Sequence, residues 1–257
     1  MKEFKMFVIT HKRIRYKLAQ DYVPIQVGES STKLDLPYIK DNTGINISEK
    51  NANYCELTAI YWLYKNYNLP DYVGICHYRR FFVHTVLLKL IDRKYVKRVM
   101  KKNDIILPNK FETNSSAKEN FINSKGGREK DLNNLRKIIK KDYPEYLDDY
   151  DNIMQSSKIS YCNMAVMKKN DFKRYCDWLF EILFKVEKIT DMTGYSKQEK
   201  RLYGFLSEFL LNVWVLHNKL KVKYCWIYKY REELSTGERI WRRIKFMIKV
   251  VIKNPSN

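Results

Sequence analysis

Short β-rich segments alternate with helical segments along most of this chain, and this order constrains the fold more than any other feature. Strand character is found at residues 5–10, 22–28, 73–76, 104–108, 158–169 and 222–230, and helical spacing of apolar residues at 54–67, 92–102, 132–143, 170–188 and 204–220. Strands separated by helices predict an α/β fold with a mainly parallel sheet and helices on both faces. Residues 109–130 show no periodicity, so we expect a mobile loop or lid there.

The composition is that of a folded protein with an unusual positive charge. The 257 residues are 45% hydrophobic, which is enough for a packed core and excludes a disordered chain. A formal net charge of +20 favours an anionic partner: a phosphorylated substrate, a nucleic acid or an anionic membrane. Five scattered cysteines without a Cys-x-x-Cys pair predict free thiols in a reducing cytosol. No signal peptide or spanning segment is recognisable, so we expect a soluble or peripheral protein.

A group of polar side chains follows the apolar run at residues 73–76. His77, Tyr78, Arg79 and Arg80 stand in a row before two phenylalanines. In α/β sheets, ligands bind beyond the carboxyl ends of the strands. Because guanidinium groups suit a bidentate hold on phosphate, this strand end predicts a phosphate site. The alternative is a pair of surface arginines on a hairpin.

Several longer stretches are individually distinctive. They are VPIQVG, DNTGINISEKNANYCELTAIYW, DYVGICHYRRFF, DIILP, YCNMAVMKK with YCDWLFEILF, and RLYGFLSEFLLNVW, and they lie between residue 5 and about residue 216. Together they resemble a family of bacterial glycosyltransferases from capsular and exopolysaccharide gene clusters, long described as a domain of unknown function. The resemblance implies a GT-A-like Rossmann-type fold. It also implies hexosyl transfer from a nucleotide-diphosphate sugar, with a UDP-sugar as the expected donor, to a glycan acceptor.

The resemblance further implies roles for particular residues, by analogy with the general plan of GT-A enzymes. Thr10, His11 and Lys12 follow the first strand and are expected to receive the nucleotide. Asn163 is expected at the sugar pocket, and Glu208 is the carboxylate that a late helix brings toward the reacting carbon.

The same plan places a metal-binding Asp-x-Asp pair where this chain has His-Tyr-Arg-Arg. We therefore expect Arg79 and Arg80, with Tyr78, to hold the donor diphosphate in the absence of a bound metal, although a divalent cation is left open. Asp149 and Asp151 do form an Asp-x-Asp pattern. No apolar strand precedes them, which favours a solvated turn over a metal site.

Glu208 is the first choice for a general base that deprotonates the acceptor hydroxyl, and His77 is the second. The alternative for Glu208 is an ordinary acid on a helix surface. Asn212 lies one helical turn further on and shares the face of Glu208, so it is a possible substrate contact. Glu56 is interpreted as the acid of a capping box with Asn53.

The loop at residues 40–53 offers further hydrogen-bonding side chains. Asp41, Asn42 and Asn46 are possible contacts for donor or acceptor, and ordinary turn chemistry is the alternative.

The last segment of the chain predicts a basic amphipathic helix. We expect a glycosyltransferase domain at residues 1–236 and a membrane-associating tail at residues 237–257. In the tail, an apolar stripe that includes Ile240, Trp241, Ile244 and Ile248 runs beside basic residues. We expect the protein to be peripheral on the cytoplasmic face of the cell membrane, with a lipid-linked acceptor. A helix docked on the protein's own surface is the alternative.

Two other classes of function stay open. A positive charge with twenty tyrosines suits a nucleic-acid-binding protein that stacks bases, but no recognised nucleic-acid motif is present. A non-catalytic scaffold at a membrane surface is the second class. We expect an enzyme without a nucleic-acid partner.

Overall fold

The computed structural model of the protein describes residues 2–32, 34–84, 88–231 and 233–253, and of Ser31, Lys249, Val251 and Lys253 it describes the backbone alone. The strands are β1 (Phe4–Thr10), β2 (Tyr22–Gln26), β3 (Ile39–Lys40), β4 (Tyr72–His77), β5 (Arg80–Val83), β6 (Ile105–Pro108), β7 (Phe111–Glu112), β8 (Lys158–Ile159), β9 (Ala165–Lys168) and β10 (Val222–Lys229). The helices are α1 (Asn51–Tyr54), α2 (Leu57–Asn66), α3 (Arg93–Val99), α4 (Ala117–Asn123), α5 (Glu129–Asp142), α6 (Leu147–Gln155), α7 (Lys169–Ile189), α8 (Leu202–His217) and α9 (Thr236–Lys253).

The main sheet has a parallel half and a closed half that share β4. Strands β3, β2, β1 and β4 lie side by side and are parallel. Strand β4 also pairs antiparallel with β9 and β5, and the pairs β9–β6, β6–β10 and β10–β5 complete a ring of five strands. The α/β class is as predicted, but the sheet is mixed rather than mainly parallel. The cause is local at β5, because a two-residue turn after His77 can join only antiparallel strands.

Strand β1 is buried on both faces and separates two apolar cores. Phe7 and Ile9 point into the larger core, whereas Phe4, Met6 and Val8 point into the smaller one. This alternation is the period of two expected of a strand. Helices α2, α7 and α8 cover the larger core and α3 covers the smaller one, so helices lie on both faces of the sheet.

The second strand tolerates a proline because its outer neighbour is short. Strand β3 pairs only with Ile25 and Gln26, so Pro24 lies where no outer strand needs its missing N–H. All five cysteines are free thiols, as predicted.

The predicted helix at residues 54–67 is broken. Helix α1 ends at Tyr54, and α2 begins at Leu57. Between them, Cys55 has φ 51° and ψ −126°, which are the angles of the first central residue of a type II′ turn. A non-glycine residue there is strained, and this turn directs Glu56 away from the helix axis.

The prediction of a mobile loop at residues 109–130 is wrong. This segment contains β7 and α4, and a capping box between Ser116 and Glu119 begins the helix. Phe121 of α4 is buried in the larger core, and Gly126 and Gly127 let the chain pass close to its ring.

The C-terminal helix α9 lies against β10 by one face. The Phe246 ring contacts the rings of Trp226 and Tyr228, at centroid distances of 6.0 and 5.6 Å, and Val250 is buried. Four large side chains of α9 outside this contact, Ile240, Trp241, Ile244 and Ile248, are between 41% and 57% exposed. Phe246, which an amphipathic helix on a membrane would direct toward the lipid headgroups, instead makes a contact within the protein. Within the described part of the chain, no helix is both long and apolar enough to cross a membrane.

Candidate active site

The site is built at the carboxyl ends of β1 and β4. Ile9 pairs with His77, and the amide of Tyr78 donates to the Ile9 carbonyl at 3.1 Å. Side chains alternate along β4, so His77 continues the face of Val73 and Ile75, whereas Tyr78 belongs to the opposite core. The His-Tyr-Arg-Arg segment therefore sends side chains to both faces of the sheet edge.

Thr10 shapes the turn that presents Lys12. Its hydroxyl donates to the Lys12 carbonyl at 2.7 Å and accepts from the Lys12 amide at 3.1 Å. The Tyr78 ring then lies among three basic side chains. The Lys12 ammonium is 5.5 Å and the Arg79 guanidinium 5.0 Å from its centroid, and the His11 ring meets it edge to face at 5.4 Å.

Four cations at this edge have no carboxylate partner within ion-pair distance in the described part of the chain. They are Lys12, Arg79, Arg80 and Arg201, which we name the cationic cluster. The pKa of His11 is lowered by burial, and also by the positive charges of Lys12, Arg79 and Arg201. The influence of Arg201 on His11 indicates that this residue, although distant in sequence, lies at the same edge of the sheet as Lys12 and Arg79. Unpaired cations that converge at a sheet edge are suited to a polyanion.

Opposite His77, the chain turns sharply before β9. Cys162 and Asn163 have positive φ values of 88° and 45°, which is uncommon for residues other than glycine. The Asn163 amide nitrogen donates to Glu56 Oε1 at 2.7 Å and to the Gly204 carbonyl at 2.8 Å. Since both partners are acceptors, they fix which way this buried amide points. Asn163 thus ties Glu56 to the start of α8.

His77 is held in one tautomer by the same turn. Its Nε2 lies 2.6 Å from the Cys162 carbonyl, which can only accept, so Nε2 carries the proton. Burial lowers the pKa of His77, against the opposing influence of Glu56. The neutral ring therefore has Nδ1 as its proton acceptor.

Glu208 is half-buried on α8, and its surroundings favour the protonated form. Its pKa is raised to about 8, chiefly by burial and next by the negative charge of Glu56. The Cys162 backbone amide, Arg80 and Arg201 oppose this rise. We name Glu56 and Glu208 the acidic pair. A carboxyl with a pKa near neutrality is suited to move a proton at physiological pH.

Close packing of α1 against α8 completes the site. The Arg201 Nε donates to the Cys55 sulfur at 3.3 Å. At Gly204, a Cβ atom would lie 3.2 Å from both Cβ and Sγ of Cys55, so glycine permits this approach. The strained turn at Cys55 thus contacts Arg201 directly and precedes Glu56 in the chain.

The structure brings together most of the residues that the sequence predicts for the site. They are Thr10, His11, Lys12, His77, Tyr78, Arg79, Arg80, Asn163 and Glu208.

The loop residues are placed differently. Asp41 is fully buried and accepts from the Gly28 and Glu29 amides and the Ser48 hydroxyl. Asn46 bonds to Gly44 and Ser48 within its own turn, and Asn42 is exposed. Asn212 is buried, donates to and accepts from the Ser160 backbone, and so anchors α8 to the segment before β9. These contacts give Asp41, Asn46 and Asn212 structural roles.

Asp149 and Asp151 lie in α6 rather than in a solvated turn. Asp149 contacts His217 Nδ1 at 2.9 Å, and Asp151 accepts two bonds from Arg136, at 2.8 and 2.6 Å. Among the described residues, no group of three or more His, Cys, Asp or Glu side chains is arranged to hold a metal ion.

Two residues of the site are not among the sequence predictions. Glu56 was assigned to a capping box, but Asn53 donates to the Lys200 carbonyl and Glu56 accepts from Asn163. Arg201 was missed, although a signal exists: it precedes Glu208 by two helical turns and so falls on the same face.

Residues 5–219 match the family described as a domain of unknown function, DUF4422, and the chain belongs to that family. A solved structure of WbbM, described as a bifunctional glycosyltransferase in its apo form, is similar to the chain with a TM-score of 0.80 and 31% sequence identity. The similarity covers 90% of this chain and 46% of the WbbM chain, so this chain spans about half the length of that protein. No curated protein matches the chain.

Proposed function

We propose that the protein is a glycosyltransferase that moves a sugar from a nucleotide-diphosphate donor to a glycan acceptor. The observation that carries the proposal is the cationic cluster beside a carboxyl group of raised pKa, at the ends of β1 and β4. The similarity to WbbM supports glycosyl transfer as the reaction class.

The cationic cluster is assigned to the donor diphosphate. When the bond between the anomeric carbon and the phosphate oxygen breaks, its electron pair passes to the diphosphate. Fixed positive groups stabilise that developing charge, by ~3 kcal/mol for each well-directed donor. Arg79 lies in the turn after β4, Arg80 is the first residue of β5, and Lys12 lies just after β1, so backbone pairing sets their relative positions. We propose UDP as the nucleotide and no requirement for a metal ion.

The acidic pair is assigned to the acceptor. As the acceptor oxygen bonds to the anomeric carbon, its proton passes to the ionised Glu208 carboxylate. Burial, and then the charge of Glu56 that Asn163 holds in place, keep the pKa of Glu208 raised and so make it a stronger base once ionised. His77, through Nδ1, is the second proton acceptor at the site.

The acceptor is proposed to be lipid-linked, in assembly of a capsular polysaccharide or exopolysaccharide on the cytoplasmic face of the membrane. The exposed apolar side chains of α9 support a membrane surface. Residues 236–253 contain six basic residues and one acidic residue, so the charge favours anionic lipid. We retain residues 1–236 as the proposed transferase domain and 237–257 as the proposed membrane-associating tail.

The placement of the aromatic residues does not favour nucleic-acid binding. All twenty tyrosines are buried or half-buried, and none offers an exposed ring for base stacking.

Release of UDP from a panel of UDP-sugars, with and without lipid-linked acceptors, tests the proposal. The wild-type protein is expected to release UDP from at least one donor. Glu208→Gln should slow this by 10²–10⁴-fold, whereas Glu112→Gln, which changes an exposed carboxylate of β7, should not. Absence of turnover with every nucleotide sugar and acceptor would contradict the proposal.

A further inference from the structure

A pocket of about 360 Å³ lies between α9 and the ring of strands, apart from the acidic pair. Its walls are mostly apolar and include Tyr16, Leu18, Phe81, Tyr228, Tyr230 and Ile240. Phe81 and Tyr228 face each other across β5 and β10, so two paired strands form the floor. A volume at the low end of ligand pockets suits one hydrocarbon chain segment and not a whole glycolipid.

Basic side chains also line this pocket. Lys17, Arg239 and Arg243 are among its lining residues; Lys17 and Arg243 are exposed, and Arg239 is half-buried. Arg239 donates to the Tyr230 and Thr236 hydroxyls, which leaves it without a carboxylate partner in the described part of the chain. Apolar walls beside positive groups are complementary to a hydrocarbon chain that ends in a phosphate.

The pocket is continuous with the exposed apolar stripe of α9. Ile240 lines the pocket and is also 55% exposed, and Ile244 and Ile248 follow it at successive turns. A lipid chain could therefore enter from a membrane on which this helix lies. Trp241, at 57% exposure, lies beside that entrance.

The pocket is also tied to the site by two backbone contacts. The Tyr16 hydroxyl donates to the Tyr78 carbonyl, and the Tyr230 amide donates to the Arg79 carbonyl at 2.9 Å. The rings of these two tyrosines contact each other at 4.6 Å. A phosphate held beside Lys17 would thus lie near the β4–β5 turn, which carries Arg79 of the cationic cluster.

We propose that this pocket binds the chain segment nearest the phosphate of a single-chain anionic lipid, and that this lipid carries the acceptor glycan. Lys17 and Arg239 contact the phosphate, and Phe81, Tyr228 and Ile240 contact the chain. The identification of the lipid as the acceptor carrier rests on the proposed function; the lipid site itself does not.

Titration of the full chain with farnesyl phosphate, farnesol and inorganic phosphate tests the pocket. Farnesyl phosphate is expected to bind at least tenfold more tightly than either of the others. Ala19→Trp places an indole in the pocket from an exposed position and should weaken farnesyl phosphate at least tenfold. Lys17→Ala should weaken farnesyl phosphate and leave farnesol unchanged. Neither variant should alter UDP affinity.

Sedimentation with vesicles that contain phosphatidylglycerol separates the pocket from the surface of α9. The double variant Ile248→Ser/Ile252→Ser changes residues outside the pocket, so it should reduce sedimentation and leave the affinity for farnesyl phosphate unchanged. Ala19→Trp should leave sedimentation unchanged and weaken the binding of farnesyl phosphate. Equal affinity of wild type and Ala19→Trp for farnesyl phosphate would overturn the proposal. Inorganic phosphate binding as tightly as farnesyl phosphate would make this a free-phosphate site. If the wild type binds farnesyl phosphate but does not bind UDP, the proposed function is contradicted and the lipid site is not.

Discussion

Glu208 combines its proposed role as the base with a cost in stability. Its folded-state pKa of about 8 lies above the ordinary value of 4.5. Between these two pH values the unfolded chain loses a proton that the folded chain keeps. The free energy of unfolding therefore falls as the pH rises through this window. The same raised pKa makes Glu208 a base whose ionised fraction rises through about pH 8, where half of it is ionised.

Glu208→Gln should consequently separate stability from activity. At pH 4.5 the melting temperature of the variant is expected to be close to that of the wild type. As the pH rises toward 8, the variant should become increasingly more stable than the wild type, because Gln carries no charge to bury. Its turnover should be 10²–10⁴-fold lower and should lose the rise between pH 6 and 8. Thermal melting and turnover across this pH range measure both effects. Near-normal turnover in this variant would show that Glu208 is an ordinary acid of the helix and not the base.

Arg201 is expected to act on both the donor and the base. Its positive charge contributes to the lowered pKa of His11 and opposes the raised pKa of Glu208. Arg201→Gln should weaken UDP binding about tenfold or more, since a charge-assisted contact is worth about 1.5–3 kcal/mol. It should also move the rise of turnover with pH to higher pH. Arg98→Gln, which removes an exposed cation of α3, is the control. An unchanged pH profile would refute the electrostatic influence of Arg201 on Glu208.

At the level of helices, α1 and α8 pack closely at Cys55 and Gly204, next to Arg201. Gly204→Ala adds a methyl group 3.2 Å from Cys55, and overpacking of this kind costs about 1–3 kcal/mol. Cys55→Gly removes the side chain that the methyl meets and suits the positive φ of this turn.

Urea unfolding of the two single variants and the double variant measures this contact as a cycle. The methyl group should be less destabilising in the Cys55→Gly background, by about 0.5 kcal/mol or more. The Gly204→Ala variant should also lose turnover, because α8 carries Glu208 and begins directly after Arg201. Additive effects on stability would mean that the helices do not meet at this point.

The elements that the sequence predicts well are those set by local pattern. Strand β1 and helices α7 and α8 follow from apolar runs and helical spacing, because burial imposes those periods. The capping box at Ser116 and Glu119 was also present in the sequence, and α4 was missed because glycines nearby favoured a loop. Ring closure through β5 and β10 was not predictable from local pattern, since it depends on pairing between distant residues.

The site divides in the same way. His77 to Arg80 are contiguous and follow a recognisable strand, so their placement was predictable. Glu56 required a tertiary contact, because Asn163 and the strained turn at Cys55 redirect a side chain that local pattern assigns to a cap.

For the whole molecule, two groups of positive charge lie at surfaces with a proposed anionic partner. The cationic cluster is at the sheet edge, and α9 carries a second group of basic side chains. Truncation before α9 would expose Trp226 and Tyr228, which Phe246 covers, so charge reversal is the cleaner test.

Arg242→Glu/Lys245→Glu should weaken sedimentation with anionic vesicles at low salt. Both residues are exposed on α9, and each basic residue near such a surface contributes about 1 kcal/mol. The matched control is Lys94→Glu/Arg98→Glu on α3, which makes the same change in net charge. Equal loss in both variants would indicate attraction by overall charge, and loss in the control alone would place the membrane surface at α3.

The central claim is that the cationic cluster holds the diphosphate of a nucleotide sugar without a metal ion. Calorimetric titration of the protein with UDP, UMP and uridine in the presence of EDTA tests it most directly. The account predicts that UDP binds at least tenfold more tightly than UMP, and UMP more tightly than uridine. Arg79→Ala/Arg80→Ala should remove most of the preference for UDP, while the Arg98→Gln control keeps it. Equal affinities for the three ligands, or UDP binding that appears only when manganese replaces EDTA, would contradict the account.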